Sequence, residues 1–524
     1  MHHALTIPEI IYEIFSYLPN LRGPYLRVRK GRGYHTNISH TTLAALAATC
    51  RTFREPALDM RWRRLPSVYS LIPLFPYDIW DKYDPDEYNP DDVDLNFSRL
   101  PSTEEWIRFE SYTSRIREIQ VSKGGFEGMA NVMATLLMKY NAHSSRHLFP
   151  NLRTVTWCSQ EKSELQFAHL FLPPSLRCLT VEFDCFDPDP RAPGLVLLPE
   201  HQCPTLTQFR IRGPIFSQSL IAAVSRALES RPCQQLESLD CDQIDESALR
   251  YIAKLPTLKD LSIYLPYWLS TYGPDEGFIN LQTLSLTASD LSAVVGFLPP
   301  TRLPLKSLRI CIMPDNSYNL PSAPLQQLFS RLSAGLRHTH LTQFHLLGPP
   351  HNDLRETLDF AALRPLSLFS ELTSVRLHGF CGFDLDDDAL AELAGAWPHL
   401  EELTLEGCRR TPEITLKGVR SLIRACPLLH TLELAIDATR LCFISSATPG
   451  EDIHNDSIEA LDLGKSTIDN PADVARILGD LFWALKKVYC SHFQGNIRNP
   501  YAQLWDEVNA HLLGARAGKQ KIAP

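Results

Sequence analysis

Three histidines lie close enough in the sequence to suggest a metal site: His338, His340 and His345. Imidazole nitrogens are common zinc ligands, and a structural zinc site needs four ligands of this kind. No cysteine or acidic residue beside the three histidines completes such a set. Surface histidines without a metal are therefore the favoured interpretation.

Two groups of aspartates could in principle bind calcium. The first group, which directly precedes an apolar segment starting at Ala389, consists of Asp384, Asp386, Asp387 and Asp388. Carboxylates are also favoured at the N-terminus of a helix, and that interpretation is preferred here. The second group, Asp184, Asp187 and Asp189, lacks the glycine and the distal glutamate of a calcium loop.

Sequence motifs of common enzymes are absent from the chain. It has no G-x-S-x-G elbow, no H-E-x-x-H pair, no P-loop and no dinucleotide fingerprint. The glycine-rich stretch 123–128 lacks the spacing of a phosphate-binding loop and indicates a turn. We therefore expect a protein without catalytic residues, metal or cofactor.

Composition narrows the class of protein further. The chain has 524 residues, 44% of them hydrophobic, and a net charge of −9 that is concentrated in the acidic segment 78–94. This balance favours neither nucleic acid nor membrane as a partner, and no apolar run is long enough for a membrane span. The thirteen cysteines include no C-x-x-C pair, which indicates reduced thiols. An intracellular location, cytoplasmic, nuclear or both, is expected.

A leucine-rich hexad, L-x-x-L-x-L with conservative replacements, recurs through most of the chain. Its copies begin at Ile116, Leu152, Leu176, Leu206, Leu236, Leu258, Leu281, Leu305, Leu341, Leu372, Leu400, Leu429, Ile458 and Leu485. The mean period of about 28 residues is typical of leucine-rich repeats. The hexads should form parallel strands on the concave side of a curved α/β solenoid, with helices on the convex side.

The side chains that alternate with the leucines should face solvent and could bind a target. A basic zone there borders an acidic zone, and together they give the candidate target-binding residues Arg309, His345, Arg376, His378, Glu402, Glu406 and Glu433. Such a junction suits a partner with charges in the opposite order. The alternative is that neighbouring strands pair these charges and the target binds elsewhere.

The first sixty residues predict three short helices. Thr6 and Glu9 have the spacing of a capping box, and Pro8 suits the first turn of helix one. A second helix should start at Thr42 and a third at Pro56. Three such helices form only a marginal core and need a partner or neighbour to cover their apolar surface.

These N-terminal residues resemble an F-box, particularly of the fungal kind. The resemblance lies in three ordered blocks: Ile7–Pro19, Leu46–Phe53 and Trp62. It implies docking to a Skp-type adaptor, and through it to a cullin, by Ile7, Pro8, Ile11, Leu18, Pro19 and Leu46. The alternative is that these residues only fill the core of the three helices.

Four segments are predicted: an F-box at 1–66, an acidic linker at 67–112, the leucine-rich-repeat solenoid at 113–495, and a C-terminal helix with a disordered tail at 496–524. The helix should cap the last repeat. Basic residues at 22–32 suggest a solvated insertion, or alternatively a nuclear-localisation or anion-binding segment.

Together these features predict the substrate-recognition subunit of a Skp-cullin-F-box ubiquitin ligase. The protein would be a non-catalytic adaptor that holds a protein target on its repeats. The alternative is a repeat scaffold that acts outside a ubiquitin ligase.

Overall fold

The structure is a computed structural model of the chain. It describes residues 7–18, 38–65, 67–81, 95–122, 126, 128–140, 146–158, 165–182, 203–213, 218–229, 234–265, 277–298, 302–313, 322–348, 357–379, 382–406, 412–441, 453–490, 493–494 and 497–520. The basic segment 22–32 and the aspartates at 184–189 lie outside these ranges. Two compact units divide the chain, Met1–Ala248 and Leu249–Pro524.

The first unit begins with three helices, α1 (Pro8–Ser16), α2 (Ile38–Thr49) and α3 (Arg51–Trp62). Their shared core contains Ile11, Phe15, Leu43 and Ala57, each at most 5% exposed. The apolar spacing in the sequence therefore predicts the existence of all three helices correctly.

The predicted starts of these helices need correction. The N-cap of α1 is Ile7, which makes no side-chain hydrogen bond. The predicted capping box, which starts at Thr6, is therefore wrong. Thr6 itself lies outside the described residues. Helix α2 starts before Thr42, and α3 already contains Pro56 in its interior. The break between them is Cys50, whose extended backbone (φ −156°, ψ 164°) ends one helix and begins the next.

Parallel strands follow in the first unit, in the spatial order β1, β4, β5, β6, β7, β8. Numbered with all strands of the chain, they are β1 (Arg64–Leu65), β4 (Glu118–Val121), β5 (Thr154–Trp157), β6 (Cys178–Glu182), β7 (Gln208–Arg212) and β8 (Ser238–Asp240). Helix α3 leads directly into β1, which pairs in parallel with β4. The helical N-terminus is thus continuous with the repeat sheet of this unit.

The second unit contains further parallel strands in the same arrangement. In spatial order they are β9 (Asp260–Leu265), β10 (Thr283–Ala288), β11 (Ser307–Ile312), β12 (Gln343–Leu347), β14 (Ser374–His378), β16 (Glu402–Glu406), β17 (Thr431–Leu434), β19 (Ala460–Asp462) and β21 (Lys487–Tyr489). The predicted parallel α/β repeat is confirmed within each unit.

Helices and short strands connect the repeat strands. The helices are Thr103–Thr113, Ala130–Lys139, Gln218–Glu229, Glu246–Ala253, Leu291–Phe297, Ser322–Gly335, Phe360–Leu363, Asp387–Ala396, Leu416–Ala425, Pro471–Leu481 and Ala502–Gln520. Short 3-10 helices span Val68–Leu74, Tyr77–Ile79, Ala168–Phe171 and Arg364–Leu368. Short strand pairs are β2 (Trp80–Asp81) with β3 (Asn96–Phe97), β13 (Thr357–Asp359) with β15 (Gly382–Asp384), β18 (Asp437–Ala438) with β20 (Thr467–Ile468), and β22 (Phe493–Gln494) with β23 (Ile497–Arg498).

The leucine hexads determine the register of the repeat strands in each unit. The first residue of every hexad is at most 1% exposed, from Ile116 to Leu485. The third positions align between paired strands, as in Thr283 opposite Ser307 and Ser374 opposite Glu402. Leu284 and Leu403, at the fourth position, are 0% exposed. Since side chains alternate along a strand, this register places the intervening residues on the solvent side.

The predicted acidic linker at 67–112 is largely folded. Residues 67–81 form 3-10 helices, and Thr103–Thr113 is a helix with a capping box made by Ser102 and Glu105. Phe75 stacks on Phe109 with ring centroids 4.6 Å apart. Buried aromatic residues therefore hold this segment, and only its acidic part, 82–94, lies outside the described residues.

The predicted C-terminal helix covers the last repeat strand. Trp505, Val508 and Leu512 are buried on one face. Asn509 accepts a hydrogen bond from the Val488 N–H (2.8 Å) and donates one to its carbonyl oxygen (2.9 Å), as a neighbouring strand would. The helix continues to Gln520, and residues 521–524 lie outside the described residues, so disorder of the tail from Gly514 stays a prediction.

Candidate binding surfaces

Helix α1 presents an apolar stripe to solvent. Ile10, Ile14 and Tyr17 are 37%, 45% and 65% exposed, and Pro8 at the first position is exposed too. The spacing of i, i+4 and i+7 places the three larger side chains on one helix face. We call Ile10, Ile14 and Tyr17 the α1 stripe. Its signal was present in the sequence, but apolar spacing alone does not separate this face from the core face.

The predicted adaptor-binding residues fall into different environments. Ile11 is 1% exposed and belongs to the helical core, while Leu18 and Leu46 are half-buried against that core. Ile7 is half-buried, and Pro19 lies outside the described residues. The expected role of Ile11 as a surface contact is therefore corrected: it faces Phe15, Leu43 and Ala57. Adaptor binding by the others stays a prediction.

A polar network fixes α1 and α3 to the start of the repeat sheet. The Tyr12 hydroxyl donates to the carboxylate of Asp59, and the Arg115 guanidinium binds both Asp59 and Glu55. Burial, with the hydrogen bond to Asp59, raises the pKa of Tyr12 to about 12. Trp62 also contacts Tyr112, with ring centroids 5.2 Å apart. The three helices and the first repeat strands are thereby linked by packing as well as by the chain.

The second unit brings four of the predicted target-binding residues into one row. Register places Arg309 beside His345 and His345 beside Arg376, on β11, β12 and β14. Thr404 and then Glu433 continue this row on β16 and β17. The predicted basic-to-acidic order along the sheet is therefore present in the structure.

A hydrogen-bonded network crosses the middle of this surface. The carboxylate of Glu402 accepts bonds from the Ser374 hydroxyl and from Arg376 Nη2, both at 2.8 Å, and His345 Nε2 lies 2.9 Å from the Ser374 hydroxyl. Although partial burial opposes it, bonding to Ser374 and Arg376 holds the pKa of Glu402 below its ordinary value. Burial, with the nearby Arg376 and Arg309, lowers the pKa of His345.

These contacts show which charged side chains on this surface are paired with one another and which stay available for a target. Arg376 and Glu402 neutralise one another, as the alternative of paired neighbouring strands requires. Arg309 is exposed and has no ion pair within the described ranges. His378 aligns with Glu406, whose side chain lies outside the part of the chain that the structure describes. A substitution at Arg309 therefore tests target binding on this surface without breaking an ion pair within the sheet.

The first unit has its own charged cluster on the solvent side of the sheet. Arg210 Nε and Arg212 Nη2 each lie 2.8 Å from Asp240 Oδ2. Burial and the charge of Asp240 raise the pKa of the neighbouring Asp242 carboxyl to about 6. Both arginines form an ion pair with Asp240, so this cluster stabilises the sheet locally.

The described histidines and aspartates that were considered for metal chemistry make other contacts. His338 Nε2 lies 2.6 Å from the Ser333 carbonyl oxygen, and Asp386 caps its own helix through the Ala389 N–H. Asp387 accepts hydrogen bonds from the next helix, at Thr415 and Gly418. Among the residues that the structure describes, no group of three or more metal-ligating side chains comes together. The cysteines found within those residues are unpaired thiols.

No helix in the described ranges has the length and apolar character required to cross a membrane.

Comparison with solved structures gives matches that include two distant ones. No protein-family model matches the chain, and no curated protein matches it. A crystal structure of the Rad7 and Elc1 complex in yeast matches with a TM-score of 0.32 and 13% identity, over 94% of this chain and 91% of that one. A structure of the Toll–Spatzle complex of Drosophila matches with a TM-score of 0.30 and 12% identity, over 77% of this chain and 63% of that one. Similarity at this level does not bear on function.

Proposed function

We propose that the protein is the substrate-recognition subunit of a Skp-cullin-F-box ubiquitin ligase, active in the cytoplasm, the nucleus or both. The proposal combines the F-box resemblance of the N-terminal residues with one structural observation. The α1 stripe exposes Ile14 and Tyr17 on a small helical unit whose own core is already filled. Large apolar side chains grouped on one exposed helix face are typical of a protein–protein interface.

In this role the protein is a non-catalytic adaptor. The N-terminal helices bind the Skp-type adaptor, which bridges to a cullin, and the repeat sheet holds a protein target. The network of Tyr12, Asp59 and Arg115 supports such a role because it fixes the helices relative to the first strands. A receptor that accelerates transfer by proximity needs its adaptor-binding helices held in a defined orientation on the strands that follow them.

Charge substitution in α1 tests adaptor docking. Ile14→Asp introduces a charge on the exposed stripe, where it should abolish capture of a purified Skp-type adaptor without lowering the unfolding temperature. Ile11→Asp is the contrasting variant, because it buries an unpaired charge in the helical core and should unfold the N-terminal helices. Undiminished adaptor capture by folded Ile14→Asp would refute docking through this face.

Two further measurements test the ligase and the target surface. Co-purification with a cullin supports the ligase, whereas adaptor binding without any cullin would indicate a scaffold outside it. Arg309→Glu should remove the target, because Arg309 carries the unneutralised charge of its row. Lys306→Glu makes the same charge change at the turn before β11 and serves as the matched control. An unchanged set of captured proteins with Arg309→Glu would exclude this surface.

A further inference from the structure

Four arginines occupy equivalent positions on neighbouring strands of the first unit. Arg117, Arg153 and Arg177 each follow the first residue of a hexad, and Arg63 directly precedes β1. Their backbones form one ladder: the N–H of Arg117 bonds to the Arg63 carbonyl (2.8 Å), that of Arg153 to Arg117 (2.8 Å), and that of Arg177 to Arg153 (2.9 Å). Strand spacing therefore places the backbones of neighbouring arginines about 4.8 Å apart across the sheet.

Part of this ladder lines a cavity of about 440 Å³. Its walls are Tyr12, Asp59, Met60, Arg63, Arg115, Arg117, Glu118, Arg153 and Thr154. Arg177 is exposed on the next strand and does not line it. The volume accommodates one tetrahedral anion with its attached group.

Positive charge in this cavity exceeds what the protein neutralises. The lining includes four arginines and two carboxylates, and the ion pairs with Arg64 and Glu55 just outside add one charge of each sign. A net charge of about +2 remains, which matches the −1.5 to −2 of a phosphate monoester at neutral pH.

The arginines of the cavity also have hydrogen-bonding capacity left. Among the described residues, Arg117 Nη1 donates to the carbonyl oxygens of Ser114 (2.9 Å) and Asn151 (3.4 Å). Burial and the charges of Arg153 and Arg63 lower the pKa of Arg117. Arg115 Nε is buried and has no hydrogen-bond partner in the described part of the chain. An anion here would satisfy Arg117 donors that the protein itself leaves open, whereas Arg115, whose Nε is buried, adds its charge without direct contact.

We propose that this cavity binds a phosphate-bearing anion, held by Arg117 and Arg153 with help from Arg63 and Arg115. A phosphate group has three terminal oxygens and can accept bonds from several guanidinium groups at once, whereas a carboxylate has two. The ligand is either a small free polyphosphate or a phosphorylated side chain. The proposal does not depend on adaptor docking through α1.

Calorimetric titration of the full chain tests this site at constant ionic strength. The probes are sodium pyrophosphate, a peptide with one phosphoserine, and the same peptide with glutamate in its place. Saturable binding of pyrophosphate alone identifies a free polyphosphate site, and saturable binding of the phosphopeptide identifies a phosphorylated side chain. Absence of saturable binding by both phosphate probes, or equal binding of the glutamate peptide, would overturn the proposal.

Matched glutamine variants localise the binding. Arg117→Gln and Arg153→Gln should each weaken it about tenfold or more, because each removes a charge-assisted hydrogen bond. Arg177→Gln makes the same change one strand beyond the cavity and should leave the affinity unaltered. Equal losses from all three variants would show general attraction along the ladder and contradict a defined site. Thermal unfolding confirms that each variant is folded, and exposed Arg153 provides the variant least able to disturb the fold.

Discussion

Gly418 leaves room for the carboxylate of Asp387, and filling that room should destabilise the second unit. Asp387 lies in the first turn of helix Asp387–Ala396, and its Oδ1 accepts bonds from the N–H groups of Thr415 (2.7 Å) and Gly418 (3.0 Å). Its Oδ2 accepts a bond from the Thr415 hydroxyl (2.7 Å). One repeat thereby caps the helix of the next, Leu416–Ala425.

The expected magnitudes follow from these contacts. A hydrogen bond to a charged group contributes roughly 1.5–3 kcal/mol, but water can partly replace the carboxylate at half-buried Thr415, so Asp387→Ala should cost about 2–4 kcal/mol. A Cβ at Gly418 would lie 2.4 Å from Asp387 Oδ1, so Gly418→Ala must displace the carboxylate. Gly418→Ala should lower the free energy of unfolding by about 1–3 kcal/mol, because the better helix propensity of alanine offsets part of the loss of these hydrogen bonds.

The two substitutions together give the decisive result. In the Asp387→Ala background the carboxylate is gone and the closest remaining atom is the backbone Cα of residue 387, 3.2 Å from the added Cβ. A shift of a few tenths of an ångström relieves that contact, so Gly418→Ala should cost clearly less than in the parent chain. Urea denaturation of the four chains of this double-mutant cycle measures the coupling, and hydrogen exchange in helix Leu416–Ala425 localises it. Asp388→Ala is the control, since that side chain is 93% exposed and should change stability by less than about 0.5 kcal/mol. An equal cost of Gly418→Ala in both backgrounds would refute the reasoning.

Three further perturbations test the repeat sheets. Leu403→Ala should lower the free energy of unfolding by roughly 2–5 kcal/mol in urea denaturation, because Leu403 is fully buried; a smaller loss would contradict the register. Asn509→Ala should accelerate hydrogen exchange of the Val488 amide, which loses its partner; unchanged exchange would show that Asn509 does not cap β21. Asp242 has its pKa raised to about 6 in the fold, so the folded state binds its proton more tightly and stability should fall as pH rises from about 4 to above 6. Asp242→Asn should remove that decline in unfolding temperature, and an identical pH profile would assign it to other groups.

The sequence predicts the repeat sheets well because their signal is local. Each hexad places apolar residues two positions apart, so the period-two alternation of a strand determines which side chains are buried. Strand β1 escapes prediction because Arg64 and Leu65 carry no hexad and pair only once β4 is beside them. The folded segment 67–81 is hidden for a different reason. Its aromatic residues are spread over Phe75, Phe97 and Phe109, and they meet only in the tertiary structure.

The candidate sites were less accessible from the sequence. Helical spacing groups Ile10, Ile11 and Ile14 together, yet Ile11 is buried while the other two face solvent. Which side of such a helix becomes the core depends on how α2 and α3 pack against it, and no local pattern contains that information. The arginine ladder was visible as an arginine after the first residue of three successive hexads. Its significance required the register that brings Arg117 beside Arg153.

The unequal lengths of the repeats have a consequence for how binding specificity can change. Hexads recur after 22 to 36 residues, yet the third positions stay aligned between paired strands. The connecting segments therefore accommodate all the extra residues, and the outward side chains keep a constant spacing on the sheet. Substitution at an outward position such as Arg309 alters what the surface recognises without touching a buried leucine. Where an outward side chain is exposed and makes no ion pair among the described residues, as at Arg309, a substitution can therefore change the partner while the buried leucines stay in place.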